Sequence, residues 1–145
     1  MKKYENILLA VELEPKADET PVQQARDIAS QFGAKLTLIH AVEHLSSYGA
    51  AYGVAAGVDI EEILVSNAKE ELAKIGAALN VPKEQQLVKV GPAKVLILEQ
   101  AKEMGADLII VGSHGRHGIR LLLGSTANAV LHGAECDVLA VRCRG

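Results

Sequence analysis

Aromatic side chains are scarce in this sequence. Its 145 residues include three Tyr, one Phe and no Trp, so that aromatic residues make up 3% of the chain. Because aromatic rings supply much of the buried area in many proteins, we expect a core built instead from Leu, Ile, Val and Ala. The length is close to the commonest domain size, and we expect one domain over residues 1–145.

Cysteines are also few, and the two that are present cannot pair if the sequence between them is extended. Cys136 and Cys143 flank the apolar run DVLAVR, residues 137–142. A strand rises about 3.3 Å per residue, which separates the two cysteines by roughly 23 Å, far beyond disulfide reach. The sequence therefore favours a reducing, cytoplasmic setting.

Long apolar runs and an excess of positive charge are absent as well. The first apolar run, ILLAV at residues 7–11, is too short for the core of a signal peptide. No run approaches the roughly 20 residues of a membrane-spanning helix. The formal net charge is −3, which gives no basic field for a nucleic-acid backbone. We expect neither a membrane nor a nucleic acid as the main partner.

Five short apolar runs alternate with helical patterns. The runs are rich in Val, Ile and Leu and mostly continuous, which is typical of strands buried on both faces. They cover residues 6–11, 35–42, 86–90, 106–112 and 137–142. The order βαβαβαβαβ predicts a doubly wound α/β fold. His40, inside the second run, is expected to be a core or rim histidine rather than a catalyst.

Four helices are predicted from apolar spacing and from residues that begin or end helices. The first has Thr20 as its N-cap and ends at Gly33, and the last is capped by Ser125 or Thr126 and ends at Gly133. Between them, one helix runs from near Asp59 to before Pro82, and another opens at Gly91 and Pro92. The segment 46–59, rich in Gly, Ala and Tyr, is either an excursion over a ligand or partner or a plain surface loop.

A glycine-rich connection, GSHGRHGIRLLLGST at residues 112–126, follows the fourth strand. Small residues allow backbone amides to turn toward an anion, and the helix that follows offers unpaired amides at its N-terminus. The connection matches neither a P-loop nor a dinucleotide-binding fingerprint. His114 and His117 have no Cys or carboxylate beside them, so no metal site is predicted. The connection is either a phosphate site or a structural turn.

At four places the sequence resembles the universal stress protein family, and the match covers essentially the whole chain. The segments are NILLAVELEP, the HAV at residues 40–42, ADLIIVGSHGR and GSTANAVLHGAECDVLAVR. The resemblance implies an adenine nucleotide α-hydrolase-like fold, with a five-stranded parallel sheet in the order 3-2-1-4-5 and helices on both faces. It also implies a cytoplasmic homodimer that pairs through the last strand, Asp137 to Arg142, and a role in stress survival.

One branch of that family binds ATP or AMP, with Mg²⁺ where the ligand is ATP, and another branch, typified by universal stress protein A, binds no nucleotide. In the binding branch, glycines and a Ser or Thr contact ribose and phosphates, and a backbone group after strand two contacts adenine. Carried over to this chain, the resemblance implies a nucleotide site at Ala10, Val11, Glu12, Val42, Gly112, His114, Gly115, Arg116, Gly124, Ser125 and Thr126.

The chain departs from the pattern of the binding branch at two points. The interior between Gly115 and Gly124 is one residue shorter than usual, and Glu12 replaces an Asp. The leading hypothesis is a stress-response regulator that binds an adenine nucleotide and has no catalytic residue. The alternatives are a dimeric interaction module that binds no nucleotide, and a slow ATPase in which Glu12 is the only carboxylate near the phosphates.

Overall fold

The computed structural model describes residues 3–13, 19–43, 60–113 and 124–142. In these ranges strands and helices alternate, as the sequence predicts. In chain order the elements are β1 (Asn6–Ala10), α1 (Thr20–Phe32), β2 (Lys35–Val42), α2 (Ile60–Leu79), a 3₁₀ turn (Lys83–Gln85), β3 (Gln86–Val90), α3 (Ala93–Met104), β4 (Leu108–Gly112), α4 (Ser125–Gly133) and β5 (Asp137–Val141).

The strands form one five-stranded sheet in the order β3-β2-β1-β4-β5. Every neighbouring pair is parallel, so the predicted topology is confirmed. The continuous apolar runs are explained by burial on both faces: Leu8 and Leu9 of β1 and Ile109 and Ile110 of β4 are all 0% exposed. We call the edge where the strands begin the amino edge, and the edge where they end the carboxyl edge.

Helices cover both faces of the sheet. Successive residues of a strand point to opposite faces, and the core divides accordingly. Leu9 belongs to the cluster that includes Leu72 of α2, and α1 packs on this face. Leu8 belongs to the cluster that includes Ile97 of α3, and α4 packs on this second face. This division is the one that a doubly wound sheet requires.

The longest described helix is α2, with 20 residues. One face of it is buried, with Leu72 1% exposed, whereas the apolar Ile63 on another face is 49% exposed. Across the described parts of the chain, no helix combines the length and the hydropathy needed to cross a membrane.

The ends of α1 confirm one predicted boundary and correct the other. Gly33 is the C-cap, with a left-handed φ of 63° that favours glycine. The N-cap is Glu19 rather than Thr20, and it makes no side-chain cap bond. Because Pro21 has no N–H to leave unpaired, it is tolerated within the first turn of a helix. The helix can therefore begin one residue before it, at Thr20.

The last helix ends at Gly133, as predicted. Gly133 is the last residue of α4, and the helix ends with Ala134 as an extended C-cap. A Cβ atom at Gly133 would lie 2.7 Å from Cδ1 of Leu98 in α3. The glycine therefore permits close packing of α3 and α4 rather than a left-handed turn.

Side chains bond to the backbone at the amino edge. The Asp107 carboxylate, which precedes β4, accepts the N–H groups of Glu5 at 2.8 Å and Asn6 at 3.1 Å. Gln85 donates from Nε2 to the Leu36 carbonyl at 2.7 Å. Bonds of this kind pair polar backbone groups where the ladders of the sheet begin. Several backbone groups at the amino edge are therefore paired with this chain's own side chains.

Candidate functional site

The two central strands separate at the carboxyl edge. The β1–β4 register starts at Ile7 and ends with Leu9 opposite Ile110. Beyond this pair, β1 follows β2 as far as Ala10, and β4 follows β5 as far as Gly112. The gap between the diverging ends is called the crevice below. It lies where the winding of the sheet reverses, which is the usual ligand position in open α/β sheets.

The end of β1 is tied to β2. The Val11 N–H donates to the Ile39 carbonyl at 2.8 Å. The Val11 carbonyl lies 2.7 Å from Nδ1 of His40, and because a carbonyl only accepts, the ring donates from Nδ1. Val11 is buried, and Glu12 directly after it is exposed. Glu12 is therefore an exposed acidic residue that follows β1 at the carboxyl edge.

The end of β4 is tied to β5 and to the start of α4. The Ser113 N–H donates to the Val141 carbonyl at 2.8 Å, and the Gly124 N–H donates to the Ser113 carbonyl at 3.2 Å. The chain thus leaves the sheet after Ser113 and returns beside it at Gly124. Ser113 is not among the predicted site residues. In the sequence, only its position directly after a buried strand indicates that it lies at this edge.

The N-terminus of α4 has no side-chain cap. Gly124 is the N-cap, in an extended conformation, and its carbonyl accepts the Asn128 N–H at 2.9 Å. The prediction that Ser125 or Thr126 caps the helix is wrong, because both already have helical backbones. The amides of Ser125, Thr126 and Ala127 have no acceptor within the helix, and glycine has no side chain to offer one. This end of the helix also carries a partial positive charge.

Val42 ends β2 at the same edge of the sheet. The residue is 6% exposed, and its carbonyl accepts the Gly91 N–H at 2.9 Å. A ligand contact with this carbonyl would have to use its second lone pair. Glu43, the next residue, is exposed.

Most of the predicted site residues lie together at the carboxyl edge. Those within the described ranges are Ala10, Val11, Glu12, Val42, Gly112, Gly124, Ser125 and Thr126. His114, Gly115 and Arg116 lie outside the described residues. The contact of any of these residues with a ligand stays a prediction. Within the same ranges, no group of three or more His, Cys, Asp and Glu side chains is arranged to hold a metal ion.

A groove of about 530 Å³ lies at the amino edge, away from the crevice. Ser30, Lys35, Leu79 and Asn80 are among the residues that line it. The groove lies at the C-terminal ends of α1 and α2, where the helix dipoles carry partial negative charge. The helix dipoles therefore do not favour an anion in this groove.

Comparison with known proteins identifies close relatives over the full length. The universal stress protein family model matches residues 3–142. Universal stress protein A homolog 2 of Coxiella burnetii (strain RSA 493 / Nine Mile phase I) is 63% identical over 145 residues, which is 100% of this chain and 99% of that protein. Homolog 1 of the same strain is 39% identical, and the match covers 95% of this chain and 96% of that protein.

Solved structures share the fold. Universal stress protein UspA from Lactobacillus plantarum matches with a TM-score of 0.75 and 22% identity over 99% of this chain and 100% of its own. A universal stress protein in complex with cAMP matches with a TM-score of 0.63 and 24% identity, over 97% and 98% of the two chains. The Archaeoglobus fulgidus protein in complex with dAMP has a TM-score of 0.61 and 20% identity, over 99% and 100%. The sequence matches and the shared fold show that the chain belongs to the universal stress protein family.

Proposed function

We propose that this protein binds an adenine nucleotide, ATP or AMP, in the crevice, and acts as a cytoplasmic stress-response regulator rather than as an enzyme. One observation carries the proposal. The β1–β4 ladder ends at Leu9 and Ile110, and the uncapped N-terminus of α4 begins beside the end of β4, at Gly124. Unpaired amides at a helix N-terminus bind phosphate well.

The phosphates would lie on the α4 side of the crevice. The amides of Ser125 and Thr126 would donate to phosphate oxygens, and Gly112 would let them approach the backbone closely. We expect His114, Gly115 and Arg116 to add contacts from the connection. With ATP, Mg²⁺ would be held mainly by phosphate oxygens, as is usual for this ion.

The nucleoside would lie on the side of β1 and β2. Glu12 is exposed at the end of β1, where its carboxylate can accept a hydrogen bond from a ribose hydroxyl. The Val42 carbonyl can accept a bond from the adenine amino group through its second lone pair. The complexes of family members with cAMP and dAMP support this choice of ligand, because both ligands contain adenine, a sugar and one phosphate group.

Equilibrium titration tests the proposal. Protein that has been unfolded and refolded, to remove any ligand carried through purification, would be titrated with ATP, ADP and AMP, with GTP as the control for the base. We expect saturable binding of at least one adenine nucleotide and weaker binding of GTP. The proposal fails if no adenine nucleotide binds at millimolar concentration.

The second candidate function is a dimeric interaction module without a nucleotide. The shorter interior between Gly115 and Gly124 and the replacement of Asp by Glu12 favour it. The two candidates separate in cells that carry Gly124→Asp, which places a carboxylate where a phosphate would bind. Unchanged stress survival together with lost nucleotide binding supports the module, whereas loss of both supports the nucleotide-dependent regulator.

We further propose that the protein is a homodimer that pairs through β5. β5 is an end strand of the sheet, and the bond from Ser113 to the Val141 carbonyl shows that the polar backbone groups of Val141 face β4. Because backbone groups alternate in direction along a strand, those of Ala140 face away from the sheet. They can pair with the same strand of a second copy.

A pair of proline substitutions tests this dimer. Ala140→Pro removes an N–H that faces outward from β5 and leaves the pairing with β4 intact. The control is Val90→Pro on β3, the opposite end strand, where Gly91 bonds to Val42 and the N–H of Val90 faces outward. We expect sedimentation to show a dimer for the parent and for Val90→Pro and a monomer for Ala140→Pro. A dimer that survives Ala140→Pro would contradict pairing through β5.

A further inference from the structure

The Val11 carbonyl lies just past the end of the β1–β2 ladder. The register of these strands ends at Ala10 opposite Ile39. In a parallel ladder that continued, the Ala41 N–H would donate to the Val11 carbonyl. The register stops before that pair, and the His40 side chain supplies the donor at 2.7 Å.

The bond from His40 sets the direction in which the chain leaves β1. Val11 is 5% exposed, so little water can reach its carbonyl if the donor is lost. A buried carbonyl without a hydrogen-bond donor destabilises the folded state. The bond holds the end of β1 on the β2 side. The end of β4 is held on the opposite side by the bond from Ser113 to Val141. Together, the two bonds hold the ends of β1 and β4 on opposite sides of the crevice.

We infer that His40 is a positioning residue for the nucleotide site. It contacts the Val11 carbonyl rather than the ligand, and it fixes the backbone from which Glu12 projects. An end of β1 that is fixed before the ligand arrives does not have to be ordered on binding, and this raises affinity. The inference rests on the proposed function for the identity of its ligand, whereas the bond from His40 to Val11 is observed independently of that function.

Two substitutions at His40 separate the donor from the ring. His40→Asn retains a side-chain N–H at nearly the place of Nδ1, and His40→Leu removes the donor but keeps an apolar side chain of similar reach. The matched control is Gln85→Leu, which removes a side-chain bond to the Leu36 carbonyl, also of 2.7 Å, at the amino edge. If His40→Leu does not fold, His40→Gln replaces it, because its amide extends one methylene further.

Titration with the adenine nucleotide that binds the parent protein gives the first measurement. We expect His40→Leu to weaken affinity by about five- to tenfold, the change in equilibrium constant that corresponds to one hydrogen bond. His40→Asn and Gln85→Leu should bind within about twofold of the parent, since each leaves the end of β1 bonded. Parent affinity in folded His40→Leu, or His40→Asn as weak as His40→Leu, would overturn the inference.

Amide hydrogen exchange without nucleotide gives the second measurement. We expect faster exchange at residues 11–13 in His40→Leu, restoration in His40→Asn and no change there in Gln85→Leu. Nitrogen NMR of the parent should show the His40 ring protonated on Nδ1. If the parent binds no adenine nucleotide, the proposed function fails, while the exchange comparison still decides whether His40 holds the end of β1. Unchanged exchange in His40→Leu would overturn that role.

Discussion

The two edges of the sheet are built differently. At the amino edge, side chains close the backbone: Asp107 accepts two N–H groups, and Gln85 donates to Leu36. At the carboxyl edge, the central strands separate after Leu9, and α4 begins without a side-chain cap. Polar groups that are already paired add stability, and polar groups that are left unpaired can bind a ligand. We therefore expect substitutions at the amino edge to change mainly the stability of the fold, and substitutions at the carboxyl edge to change mainly nucleotide affinity.

The largest expected effect is on stability, at the amino edge. Asp107→Ala removes the acceptor of two backbone N–H groups, and we expect the free energy of unfolding to fall by about 2 kcal/mol. Asp107→Asn keeps one acceptor oxygen and should lose less. Denaturant unfolding measures both changes. Nucleotide affinity of the folded Asp107→Ala protein should match the parent, and a clear loss of affinity would break the distinction between the edges.

The next effect is on binding, at the carboxyl edge. Gly124→Asp places a carboxylate at the N-cap of α4, where it can accept the amides of the first helical turn and repels phosphate. We expect nucleotide affinity to fall by about tenfold or more, a change of about 1.4 kcal/mol, and the free energy of unfolding to rise by a few tenths of a kcal/mol.

The control for Gly124→Asp is Pro92→Asp. Pro92 is the N-cap of α3, and it also makes no side-chain cap bond. The same charge is therefore added at a helix that follows β3 rather than β4. Calorimetric titration should show parent affinity for Pro92→Asp. Equal losses in the two variants would mean that overall charge, rather than the crevice, controls binding.

The smallest effect is expected at Glu12. Glu12→Gln removes the charge from an acceptor of the ribose hydroxyl, and we expect affinity to fall by about fivefold with stability within about 0.5 kcal/mol of the parent. Glu43→Gln is the control, because Glu43 is an exposed carboxylate at the end of β2. If both variants bind like the parent, the nucleoside does not lie against the end of β1.

The sequence predicts the strands of the sheet well because burial restricts the residue types that a strand can contain. A strand covered on both faces must be apolar at successive positions, and β1 from Ile7 onward and β4 meet this condition. The family resemblance then supplies the strand order, which the apolar pattern alone does not determine. The order also explains why most of the predicted site residues lie near one another, since it brings the ends of β1 and β4 together at one edge.

Local details at the carboxyl edge could not be predicted in the same way. Ser125 and Thr126 are good N-cap residues, but the N-cap is the residue whose backbone is still extended, and Gly124 has that conformation. The bond from His40 to Val11 depends on where the β1–β2 register ends. No residue type marks such an end, so the sequence indicates only that His40 lies in a strand.

Backbone NMR during a titration with ATP tests the central claim most directly, because it reports on both edges at once. We predict that the largest amide shifts fall at Ser125, Thr126 and Ala127 and next to the crevice at Glu12 and Gly112, while Asn6 and Asp107 stay unchanged. Shifts confined to the groove between the ends of α1 and α2, or no shifts at millimolar ATP, would contradict the assignment of nucleotide binding to the carboxyl edge.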